Sequence, residues 1–158
     1  MARAQPIADL DGADTFAAAA ARVVSTRASE LFELRSGVLD VGDIERLHDM
    51  RVASRRLRAV LEIFAACFPP RRQRAVLRDV RRLADALGAR RDPDVQIAAL
   101  AAHAAAAPPS DRPGVELLID LLRQERDAAN AALAEALAEA DRSDLPGRLQ
   151  ALSLEARR

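Results

Sequence analysis

Residues 47–61 read Leu-His-Asp-Met-Arg-Val-Ala-Ser-Arg-Arg-Leu-Arg-Ala-Val-Leu. At about 100° of rotation per residue, His48, Arg51, Arg55 and Arg58 recur on one side of an α-helix. Met50, Ala53, Leu57, Val60, Leu61 and Phe64 take the other side, as a core-facing stripe requires. The stretch therefore predicts a helix with a buried face and an unusually basic companion face.

Working outward, the same design repeats. Arg71, Arg74, Arg78 and Arg81 return at three- and four-residue steps, with Arg82 beside them, opposite Val76, Val80, Leu83, Ala84 and Leu87. Helical periodicity runs through almost the whole chain, with no alternating strand pattern. The expected helices cover about 14–36 (Asp14 as N-cap, Gly37 as stop), 43–67 (capped by Asp43) and 71–87 (closed by Gly88). Further helices are expected over 92–107, capped by Asp92 with Pro93 in its first turn, then 115–141, and a short one opened by Asp144 that frays at Arg157-Arg158. Residues 108–114 read as a loop. Short connections between long amphipathic helices make antiparallel neighbours, so the fold class is all-α, an antiparallel bundle of about five to six helices. For the Ala/Glu-rich fifth helix, an exposed coiled-coil arm is the alternative. The chain of 158 residues suits a single domain, with a motif-bearing core at 43–100 and a flexible segment at 1–13.

Net charge is zero, yet its distribution is uneven. Residues 46–91 hold 13 Arg and 4 acids, while residues 1–45 hold 4 Arg and 8 acids and residues 92–158 hold 7 Arg and 12 acids. If the second and third helices pack as a hairpin, their arginine rows lie side by side as a basic strip. Each row spans ten residues, about 15 Å of helix, which suits an extended polyanion better than one small anion. Guanidinium groups are planar forks that grip phosphate oxygens with paired hydrogen bonds. Against this stands the reading in which a basic helix face is solvated or paired with acids such as Glu30, Glu33, Glu135 and Glu139.

Other chemistries find little support. The two histidines, His48 and His103, lack the partners a metal site needs, and there is no Gly-rich phosphate loop, Ser-His-Asp order or carboxylate cluster. Catalytic residues, metal and cofactor are therefore expected to be none. Aromatic residues make up 3% of the chain, which leaves no stacking platform for nucleic acid. A single cysteine, Cys67, and the lack of an apolar leader or of a membrane-length apolar run make the cytoplasm the expected location.

Two stretches also resemble a known family. Leu-His-Asp-Met-Arg-Val-Ala-Ser-Arg-Arg-Leu-Arg at 47–58 and Leu-Ala-Asp-Ala-Leu-Gly-Ala-Arg-Arg-Asp-Pro-Asp-Val at 83–95 are similar to motifs of the CHAD family, the conserved-histidine α-helical domain. The resemblance implies a helical bundle that binds inorganic polyphosphate in a basic groove, without catalysis. It also implies association, in some members, with polyphosphate or polyhydroxybutyrate granules of the bacterial type. By motif, His48 matches the name-giving histidine and Arg51, Arg55, Arg56 and Arg58 its basic partners. Arg78 and Arg81 match basic positions before the Leu-Gly pair, and Arg91 matches the arginine of the Arg-Asp pair. Asp92 and Asp94 read as caps and salt-bridge partners. With Arg74 and Arg82 from the spacing, these residues form the expected polyphosphate site. The family domain usually holds two such bundles, and residues 92–158 carry no second His-Arg-Arg row. The groove is then either open on one side or closed by a second copy of the chain. Nucleic-acid binding, or a scaffold docking an acidic partner, is the alternative function.

Overall fold

The computed structural model describes residues 4–8 and 10–156. Among these residues five α-helices follow one another: α1 (Phe16–Glu33), α2 (Ile44–Ile63), α3 (Pro70–Ala106), α4 (Arg112–Arg142) and α5 (Leu145–Leu154), with a short 3-10 turn at Ala65–Cys67 before α3. No strand occurs among the described residues. One hydrophobic core joins all five helices, running from Val24 and Leu31 through Leu47, Leu57, Leu83 and Leu87 to Leu133, Leu137 and Leu149.

Several helix starts follow the sequence signals. The Asp43 side chain accepts from the Arg46 N–H at 3.0 Å and opens α2. The Asp144 side chain does the same for the Gly147 N–H at 3.2 Å. Asp144 holds a left-handed conformation (φ 47°), which a short polar side chain tolerates better than most. At α1 the cap is Thr15, whose hydroxyl accepts from the Ala18 N–H at 3.2 Å, and not Asp14. The Asp14 carboxylate is engaged instead by the Asp11 N–H and by Arg22. These two partners, the backbone one first, hold its carboxyl below the usual carboxylate range. Gly37 lies beyond the end of α1, in the connection to α2, where its positive φ of 79° suits a residue without Cβ.

The main correction concerns the expected break at residues 88–92. Gly88 does not end a helix and Asp92 does not cap one; α3 runs unbroken for 37 residues, about 55 Å. Pro93 sits inside it, buried, where its ring removes one backbone hydrogen bond. Tertiary contacts hold the helix together there. Arg90 is 1% exposed and donates to the Asp94 carboxylate at 2.6 Å, which is itself 5% exposed. The Arg90 Nε–H also donates to the Asn130 side-chain oxygen on α4, and Asn130 donates on to the Leu39 carbonyl, at 3.1 Å each. This network ties α3, α4 and the α1–α2 connection across the residues where local signals favour a stop.

Beyond the network, α3 and α4 continue as a two-helix arm joined by a loop around Pro108–Asp111. Its inner contacts are few: Ala107, Val115 and Ile119 are buried, whereas Val95, Leu117, Leu118 and Leu121 are exposed. Of the segment expected to be flexible, residues 1–3 and 9 lie outside the described residues, as do Arg157 and Arg158 at the expected fray. Gln5 is hydrogen-bonded to α1, donating to Glu33 at 2.8 Å and accepting from Arg27 at 2.8 Å through its carbonyl.

Candidate functional site: the α2–α3 seam

Helices α2 and α3 form the antiparallel hairpin that the two arginine rows anticipate. Their buried faces, Leu47, Met50, Ala53, Leu57 and Leu61 on α2 and Val76, Leu77, Val80, Leu83 and Leu87 on α3, meet in the core. Gln73, buried at the start of α3, donates to the Leu61 carbonyl at 2.9 Å and so satisfies an acceptor at the C-terminal end of α2. Because the apolar faces fix the rotation of both helices, the flanks that carry charge meet at the solvent edge of the seam.

Glu62 marks the meeting point. Its Oε1 accepts from Arg81 of α3 at 2.9 Å and lies 3.7 Å from Nε of Arg58 on α2. These groups are about half exposed, so the contact contributes at most about 1 kcal/mol. Its value here is geometric, since one carboxylate locates both rows. Farther along, Arg51 is half-buried and passes over Gly88, where an added Cβ would stand 4.0 Å from the Arg51 Nε. The same antiparallel register carries His48 level with Arg91. Both are half-buried, and the Arg91 Nε is buried without a hydrogen-bond partner. Arg55 is exposed between these levels.

Not every residue of the expected site joins this edge. Arg56 lies about 140° around α2 from Arg51; it is half-buried on the other flank and has an interaction partner. On α3, Arg78 and Arg82 lean toward α5, at 3.5 and 3.8 Å from the Asp79 carboxylate. Arg148 of α5 reaches the same carboxylate at 2.8 Å. Arg74 is exposed near the start of α3, and Arg71 borders a groove shared with Arg72, Arg148 and Leu152. The structure thus brings together His48, Arg51, Arg55, Arg58, Arg81 and Arg91, and sets Arg78 and Arg82 in a second basic group around Asp79.

Charge balance along the seam is lopsided. Among the described residues, no acid lies within ion-pair distance of Arg51, Arg55, Arg71, Arg74 or Arg91. Acids near the seam are Glu62 and the exposed Asp85 and Asp92 on α3. Asp49 is half-buried, on the flank of α2 that carries Arg56. Such an edge can hold an extended anion by serial guanidinium contacts. No group of three metal-ligating side chains occurs among the described residues, and no helix there is long and apolar enough to cross a membrane.

Sequence reasoning missed two arginines that shape this region. Arg90 is structural, and its signal was present in the spacing: an arginine four residues before an aspartate on a helix. Arg148 has no local signal, because it reaches Asp79 across 69 positions of sequence.

Comparison with protein families matches residues 22–158 to the CHAD domain. That span takes in the C-terminal helices as well as the two motifs. Neither a curated protein nor a solved structure matches the chain.

Proposed function

The chain belongs to the CHAD family, a helical domain associated with polyphosphate binding, and from that premise we propose that it is a non-catalytic module that binds inorganic polyphosphate along the α2–α3 seam. The observation that carries the reading is the convergence of Arg58 and Arg81 on Glu62. It puts arginines of two helices on one edge, where Arg51, Arg55 and Arg91 have no acid of their own. His48 and Arg91 would close one end of the track and Arg74 the other, with Arg78 and Arg82 extending it toward α5. Arg56, on the opposite flank, makes a secondary contribution at most. Attachment to polyphosphate or polyhydroxybutyrate granules in the cytoplasm would use the same surface.

Titration of long-chain polyphosphate at low and high salt tests this. Several bound phosphates release condensed counterions, so affinity falls steeply as salt rises. Weak binding that ignores salt would sink the proposal. A competing duplex or single-stranded DNA distinguishes the nucleic-acid reading; polyphosphate is expected to displace it at physiological salt. An acidic protein partner that binds while polyphosphate does not would favour the scaffold reading instead.

A further inference from the structure

The two-helix arm presents a surface that the polyphosphate reading does not use. On its outer side, α4 carries Leu117, Leu118 and Leu121, which are 63%, 51% and 53% exposed. Three such leucines within five residues make a patch and not scattered surface apolars. Nearer the bundle, the same side of α4 carries small residues set among Glu125, Glu135 and Glu139. Ala128 and Ala132 are exposed and Ala136 is half-buried. One helix face therefore runs from large residues at its N-terminal end to small ones at its C-terminal end.

The small end is also a cleft. A cavity of about 320 Å³ lies between α3, α4 and α5, with Leu83, Ala132, Ala136, Ala140 and Leu145 forming its apolar walls and Arg82 on its rim. A face graded from large to small is complementary to itself when turned end for end. In an antiparallel pair, the leucines of each helix enter the alanine cleft of the other, and both ends match at once. This is the signature of an isologous, two-fold contact.

Charge agrees with that register. Arg78, Arg82 and Arg148 share the single carboxylate of Asp79, which leaves positive charge in excess beside the cleft. The cleft's other acids, Glu135 and Glu139, are already paired with Arg142 at 2.6 and 2.8 Å. Residues 92–131 hold seven acids and three arginines. An antiparallel α4–α4 pairing that sets Leu121 against Ala132 brings Asp111 and Glu116 of one copy level with Arg78 and Arg82 of the other.

We propose that this face docks a second copy of the chain, forming a two-fold dimer in which Leu117, Leu118 and Leu121 of each α4 seat in the Ala132–Ala136 cleft of its partner. The dimer shares Arg78 and Arg82 with the outer end of the proposed polyphosphate track, but its leucine–alanine contact uses no residue of the α2–α3 seam, so either reading can fail without the other. A dimer would also carry two basic seams.

Mass measurement in solution and directed cross-linking test it together. Native protein is expected at twice 17.1 kDa. Leu118→Glu/Leu121→Glu is expected at the monomer mass with an unchanged helical circular dichroism signal, since both positions are exposed. Separately, Leu118→Cys/Ala136→Cys is expected to form an intermolecular disulfide on mild oxidation. Within one chain these positions are about 27 Å apart along the helix, far beyond the ~7 Å Cα limit of a disulfide. Cys67 stays out of that reaction because it is buried and desolvation pushes its thiol up. The dimer must be lost in the double Glu variant and the 118–136 bond must form. A monomeric native chain, a dimer indifferent to the Glu pair, or failure of the cross-link each overturns the proposal.

Discussion

Residues 70–91 and 92–106 belong to one helix, α3, yet they are built for different surroundings. The first stretch buries Val76, Leu77, Val80, Leu83 and Leu87 among three other helices and turns arginines outward. In the second, burial stops at Pro93 and Asp94, and alanines dominate. Apart from the one bond that Pro93 removes from the second, both stretches are hydrogen-bonded as α-helix. What differs is the apolar area removed from water per turn, and that area supplies most of a helix's stability in a folded protein. The bundle half is therefore expected to be rigid, and the arm half to be the lower-stability unit, opening on its own in hydrogen exchange.

The two halves meet at the Arg90–Asp94 pair, and breaking it should give the largest effect. Asp94→Ala leaves a guanidinium buried with one acceptor, Asn130. A loss of about 3–5 kcal/mol is expected, as for other buried pairs cut on one side, read by urea denaturation. A loss below about 1 kcal/mol would mean that the bundle and arm are coupled by something else. Replacing both partners with apolar residues of similar size is expected to cost much less, because the desolvation penalty goes with the charges.

Next comes a direct contrast of apolar truncations. Leu87→Ala opens a cavity in the core behind the basic seam and is expected to cost about 2–5 kcal/mol. Leu117→Ala, on the exposed face of the arm, is expected to change the stability of the monomeric Leu118→Glu/Leu121→Glu protein by less than about 0.5 kcal/mol. Equal costs at the two positions would erase the distinction between a core-bearing half and an arm.

The same contrast governs binding. Reversal of Arg51, Arg55 and Arg58 to Glu is expected to abolish polyphosphate binding while the helical signal survives, because none of the three is buried in the core. Charge reversal of Arg123 and Arg126 on the arm is expected to shift affinity by no more than severalfold. Comparable losses from both sets would move the polyanion track off the seam.

How much of this was legible in the sequence depends on whether the deciding contact is local. The start of α2 at Asp43 and that of α5 at Asp144 were legible because an N-cap is a bond between residues three apart. The basic face of α2 was legible because its period is that of the helix itself. The continuity of α3 was not. Gly88 and Asp92-Pro93 are a stop and a start by every local rule, and they are overridden by Asn130, forty residues away from Arg90. Arg148 escaped for the same reason. The arm was visible only as an alternative for the fifth helix, since alanine-rich helices fit a tight bundle and an exposed hairpin equally well.

Gly88 offers the smallest effect and the finest test. A glycine that ends a helix needs positive φ, and substitution there is destabilising. Here the helix runs through Gly88, and only Gly37 among the described glycines has positive φ. An alanine Cβ would meet the Arg51 Nε at 4.0 Å, an ordinary van der Waals contact. Glycine inside a helix costs about 0.5–1 kcal/mol relative to alanine. Gly88→Ala is therefore expected to raise stability by about that amount and to leave polyphosphate affinity unchanged. Gly88→Val adds bulk where the Arg51 stem crosses α3. It is expected to displace that guanidinium and weaken binding severalfold, with stability close to that of the native chain. If Gly88→Ala destabilises, the helix breaks at this point after all, and the seam would then end before His48 and Arg91 come level. If Gly88→Val binds as tightly as Gly88→Ala, the glycine does not serve the passage of Arg51. Its place in the Leu-Gly motif would then belong to helix packing and not to the basic edge.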